Sequence, residues 1–123
     1  MLSLEKLTIA ITARNILLQD SDIQRLVGSK IFPSVAPTNT PSPHITYERD
    51  AYEVESVKMG AIREVARLTY VITSDDYDIG LEVAVAMHRA LQGDHGDETF
   101  EIIDSAERYS EGKYLQIMDF KIT

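Results

Sequence analysis

Three histidines (His44, His88 and His95) and several groups of acids are the residues of this chain with chemical potential. Asp94, His95, Asp97 and Glu98 form the densest group. Their hard oxygens and single imidazole are donors that Mg²⁺, Mn²⁺ or Zn²⁺ accepts. The group matches neither an EF-hand loop nor a His-Glu-x-x-His helix. With Gly93 and Gly96 around it, it has the composition of an exposed turn, and no metal or cofactor is expected there. Asp75, Asp76 and Asp78 resemble a catalytic cluster, but they precede a helical pattern, where capping and the helix dipole favour acids. Gly93 and Gly96 are not followed by Gly-Lys-Ser/Thr, so no phosphate loop is present. His44 follows Pro43 at the start of a strand pattern, and His88 lies off the main stripe of a helix. Neither has a Ser or Cys nucleophile at a recognisable spacing. No catalytic residue is expected, and function is assigned to surfaces.

The bulk composition narrows the classes further. The chain has 123 residues, 44% hydrophobic and 26% charged, which suits one globular domain spanning 1–123. It has no cysteine, so disulfides and thiolate metal sites are excluded. No apolar run approaches the ~20 residues of a membrane span. Glu5 and Lys6 interrupt the first apolar stretch, which does not read as a signal peptide, so synthesis in the cytoplasm is expected. The net charge is −8, and the basic residues are scattered singly. A phosphate-gripping protein needs a basic stripe, so nucleic-acid binding is not expected.

Residues 3–18 read as a helix capped by Ser3. Leu4, Leu7, Ile11 and Leu18 form one apolar side, expected to face the core. Leu2, Ile9 and Ile16 repeat every seven residues on roughly the opposite side and are candidates for a subunit interface. A short helix over 23–27 follows, capped within Asp20, Ser21 and Asp22 and ended by Gly28. Ile31 and Phe32 lead into an irregular arm over 33–43 that holds all four prolines. Residues 44–49 read as a strand, 50–60 as a mobile loop or the tip of a long hairpin, and 62–73 as a second strand. A helix over 76–91 carries the stripe Ile79, Val83, Ala86, Met87 and Ala90 and is closed by Gly93. The stretch 93–98 reads as an acidic loop. Strands over 99–109 and 113–123 are joined by a Glu-Gly turn. The predicted fold is α+β: a mostly antiparallel four-stranded sheet with helices packed on one face.

Several patches in this order resemble one family. They are Leu17-Leu18-Gln19-Asp20 with Ile23, Leu26-Val27-Gly28, Ile31-Phe32-Pro33, Ala36-Pro37 and Pro43-His44-Ile45-Thr46-Tyr47-Glu48. Tyr70-Val71-Ile72, Asp76-Tyr77, Ala90-Leu91-Gln92-Gly93, Tyr109 and Tyr114-Leu115-Gln116-Ile117-Met118-Asp119-Phe120 complete them. The chain resembles the bacteriophage tail-completion (tail-terminator) proteins over nearly its whole length. That resemblance implies a structural, non-enzymatic virion protein of a phage or prophage at the head-proximal end of the tail. It implies self-association into a ring, often a hexamer, with the tail-tube protein and a head–tail connector as partners; the scattered basic residues and short apolar runs add the expectation of no sequence-specific nucleic acid and no membrane. Acids that could line such a ring are Asp50, Glu53 and Glu55, or Asp94, Asp97 and Glu98. The alternatives are another head–tail joint protein, a connector or stopper, and a small α+β enzyme or ligand-binding domain using the 94–98 group.

Overall fold

A computed structural model describes residues 5–56, 60 and 62–123. The first helix is a 3-10 turn, Glu5–Thr8, running into α1, Ile9–Gln19. Asp20 breaks the helix with extended backbone and caps α2, Ser21–Val27, its carboxylate accepting the Ile23 N–H at 3.0 Å. Gly28 ends α2 at φ 63°, a conformation in which a side chain is strained. The remaining elements are β1 (Ile31–Pro33), β2 (His44–Ser56), β3 (Ile62–Ser74), α3 (Tyr77–Leu91), β4 (Gly93–His95), β5 (Glu98–Ser110) and β6 (Lys113–Ile122).

The sheet has six strands in the order β1-β2-β3-β6-β5-β4 and curls into a half-barrel, which corrects the expected four-stranded antiparallel sheet. Two short strands make the difference. β1 lies parallel to β2, with Ile31 opposite Ile45, so the sheet is mixed. Pro33 ends β1 on the outer edge, where a missing N–H breaks no ladder. β4 pairs antiparallel with β5 around Gly96, at φ 64°, and Asp97. A two-residue Gly-Asp connection is a hairpin signal, so the stretch 93–98 is a tight hairpin and not a loop.

The strands are also longer than their patterns suggest. β2 continues through Asp50–Ser56, past a register shift between Arg49 and Ala51. The shift interrupts the in–out alternation, which is why the charged stretch after it reads as a loop. Of the expected mobile segment, 50–56 is strand, and 57–59 and 61 lie outside the described residues. The proline arm turns back onto the body. Ser34 N–H donates to Tyr47 O at 2.8 Å, Thr40 Oγ to Pro37 O at 2.6 Å, and Asp75 N–H to Ser42 Oγ at 3.2 Å.

The helices cover one sheet face. α3 packs on β3, β6 and β5, α1 on β2, and α2 on α3. Alternating residues fill the space between: Leu68, Tyr70 and Ile72 from β3, and Met118, Phe120 and Ile122 from β6. Tyr47, Tyr70 and Phe120 form an aromatic row with neighbouring centroids 5.9 Å apart. The α3 stripe is Gly80, Val83, Ala86, Met87 and Leu91, with Ile79 left exposed. Val83, Ala86 and Met87 face in as expected, while Gly80 beside Ser74 and Leu91 take the ends of the stripe in place of Ile79 and Ala90.

Candidate functional site

Most of the would-be chemical groups are used by the fold. In the 94–98 group, Asp94 Oδ1 accepts Thr99 Oγ–H at 2.8 Å. His95 Nε2–H donates to Leu91 O at 2.9 Å, which satisfies a carbonyl at the end of α3, and its ring stands edge-on to Phe100. Glu98 is not an exposed loop acid. It is 7% exposed and paired with the buried ammonium of Lys6. Strand alternation puts Glu98 on the same inward face as Phe100. No sequence pattern links it to Lys6, ninety-two positions away. Among the described residues, no group of three His, Asp or Glu side chains could hold a metal ion.

The acids before α3 divide the capping work. Asp76 Oδ1 accepts the Ile79 N–H at 3.1 Å, and Asp75 is held by Lys113, which keeps its carboxyl below the usual range. Asp78 lies in the first turn, where the dipole favours an acid. Burial lowers the pKa of His44, the charges of Lys30 and Lys113 acting in the same direction, and its Nδ1–H donates to Pro41 O. His88 is exposed on α3.

The first helix reverses the sequence expectation. Ile9 is 2% exposed and packs in the core with Ala13 and Leu17, while Leu7 is 39% and Ile11 54% exposed. Ile16 is half-buried against the core, and Leu2 lies outside the described residues. The inward stripe therefore runs 9, 13, 17. It contains an alanine that a search for large apolar residues passes over, and that small side chain permits close approach to the neighbouring elements. Ile9 is core, not interface.

What remains outward is a set of surfaces. A cleft of about 320 Å³ between α2 and α3 has Leu26, Leu81 and Val85 in its wall and a rim of mixed charge. A second groove, about 500 Å³, runs between α3 and β5 over Leu81, Ala84, Val85, Ile102 and Ala106. Val85 is 48% exposed on the ridge between the two. At the β5–β6 turn, Tyr77, Tyr114 and Tyr109 form a ring cluster with centroids 5.6 and 5.0 Å apart. Glu107 Oε2 accepts from Tyr77 OH at 2.6 Å and Gln116 Nε2 at 2.8 Å, and these donors lower its pKa. At the end of β2 and β3 that runs past β6, Val54 is 48% and Ile62 54% exposed. Of the remaining acids expected at a ring lining, Asp50, Glu53, Asp94 and Asp97 are exposed and Glu55 is half-buried.

No protein-family model matches the chain, and no curated protein matches it. The fold is similar to that of a solved chain described as "Virion of native gene transfer agent (GTA) particle", with a TM-score of 0.76 and 18% identity over 89% of each chain.

Proposed function

We propose that this protein is a structural component of a phage or prophage virion, a ring-forming subunit that terminates the tail tube and joins the tail to the head. The observation that carries this reading is the fold shared with a virion chain over nine-tenths of both lengths. The family resemblance of the sequence patches points the same way. So do the outward apolar positions Leu7, Ile11, Val54, Ile62 and Val85, which a subunit needs in order to bury area against neighbours. The ring is a hexamer in this reading, its axial partners are the tail-tube protein and a head–tail connector protein, and the site is the head-proximal end of the tail. Leu2 and the half-buried Ile16 belong near the subunit contacts in this reading.

The acidity has a role in this reading. DNA must pass through the ring without being held, and acids at the lining repel phosphates. Asp94 and Asp97, or Asp50, Glu53 and Glu55, supply that lining; Glu98, buried with Lys6, does not.

Native mass spectrometry of the purified chain tests the reading. A closed ring of defined copy number supports it. A monomer at every concentration up to the millimolar range counts against it.

A further inference from the structure

The outward face of α3 is ordered about one residue. Val85, 48% exposed, is the ridge between the two grooves that flank the helix, and Leu81 lies in the wall of both. Glu82 and Arg89 are exposed on the α2 side of that ridge, where both rim the α2–α3 cleft. One stands three residues before Val85 and the other four after it. Neither is in an ion pair among the described residues. The other rim charges are accounted for within the chain. Asp22 and Arg25 pair with each other at 3.7 Å, and Asp78 lies in the first turn, where the dipole favours it.

This order is self-complementary. A two-fold axis in the plane of contact, crossing α3 at right angles beside Val85, lays a second α3 antiparallel on the first. Such an axis keeps each flank against the same flank of the other copy and sets residues before the axis opposite residues after it. Val85 then packs beside the partner's Val85. Glu82 meets the partner's Arg89, and Arg89 meets the partner's Glu82. A parallel pairing would set Glu82 on Glu82 and Arg89 on Arg89, so the charges select the antiparallel one. The two helix dipoles also run in opposite directions in that arrangement.

We infer that two copies of this chain pair through α3 across a two-fold axis, with Leu81 and Val85 in the centre and two equivalent Glu82–Arg89 ion pairs at the rim. Both copies use the same patch, unlike the head-to-tail contacts that close a ring, so the pairing goes beyond the ring reading and does not rest on it. A ring whose subunits keep this contact stacks in twos.

Sedimentation equilibrium of the purified chain should show a dimer. Val85→Asp should give a monomer that keeps its fold by circular dichroism, because Val85 is half-exposed in the single chain. Glu82→Arg and Arg89→Glu each put like charges at both rim contacts, and each should raise the dimer Kd about tenfold or more. Mixed in equal amounts, these two variants should pair with each other as tightly as the natural chain pairs with itself, since every rim contact then joins a cation to a carboxylate. A natural chain that stays monomeric, dimers undiminished by Val85→Asp, or a mixture that pairs no better than either variant alone would overturn the inference. Single rings of odd copy number that survive Val85→Asp would overturn it and leave the ring reading standing. Dimers that lose affinity in these variants and never grow larger would support the pairing and count against the ring.

Discussion

Replacing Lys6 with Met removes the cation from a pair in which both side chains are about nine-tenths buried. The Glu98 carboxylate then stays in the protein interior without its counter-charge. Breaking a buried pair from one side in this way costs about 3–5 kcal/mol. For 123 residues, an unfolding entropy of about 2.1 cal/mol/K per residue makes each kcal/mol worth about 4 °C in melting temperature. Lys6→Met should therefore lower Tm by roughly 12–20 °C. Glu98→Leu should be milder, because the freed lysine has a long flexible stem that can carry its ammonium back to water. The Lys6→Met/Glu98→Leu double variant should recover most of the loss, since an apolar pair of similar volume is often neutral or better. Thermal and urea melts of the four proteins form a double-mutant cycle with a coupling of several kcal/mol. A Lys6→Met loss below about 1 kcal/mol, the range of exposed pairs, would show that water reaches the pair and that the burial argument is wrong.

Three other outcomes follow from particular contacts. The Tyr70 hydroxyl is buried with no hydrogen-bond partner, and burial raises its pKa, so Tyr70→Phe should raise stability by about 1 kcal/mol in urea melts; a loss would mean that the hydroxyl has a partner. A methyl group at Gly80 would meet Ser74 Cβ at 3.5 Å, an ordinary contact, so Gly80→Ala should gain about 0.5–1 kcal/mol through helix propensity, and Gly80→Leu should lose stability instead. The Tyr77–Glu107 bond lowers the Glu107 pKa and raises that of Tyr77. Its contribution is therefore lost as pH falls through the lowered Glu107 value and as pH rises through the raised Tyr77 value. The Tm difference between the natural chain and Tyr77→Phe should be largest in between and shrink at both ends; a difference constant with pH would refute the bond.

Local signals in the chain were strong where one face is buried and the backbone is regular. The caps Asp20 and Asp76, the end of α2 at Gly28, and the alternation of β3 and β6 are readable because each depends on residues close in sequence. β1 and β4 are three residues long, too short for a period to register, so the sequence pattern shows four strands of the six. The bulge after Arg49 hid the second half of β2 for a related reason, since one extra residue inverts the alternation on which strand reading depends. The partner of Glu98 was not legible at all. Nothing local distinguishes a carboxylate that meets a lysine across the fold from one that faces water. The inward side of α1 failed on residue size, because Ala13 holds the middle of the stripe while the large Ile11 faces out.

The position of the 3-10 turn connects these corrections to assembly. Lys6 reaches Glu98 at the start of β5, while the next carbonyl, Leu7 O, accepts from Arg49 Nη1 of β2 at 2.8 Å. In the sheet order those strands are three places apart, about 14 Å if the sheet were flat. Two consecutive residues that touch both therefore bridge the curl of the half-barrel. One side of that bridge is β2 at Arg49, and the other is the β4–β5 hairpin with Asp94 and Asp97. A change at Lys6 thus loosens β2 and the β4–β5 hairpin together. Charge reversal at Glu98 would set two cations together in the interior and destabilise the subunit itself. A DNA-passage defect in such a variant would say nothing about the proposed channel, whereas the same reversal at Asp97, exposed and outside both that pair and the Asp94–Thr99 bond, leaves the bridge intact and tests the proposed lining.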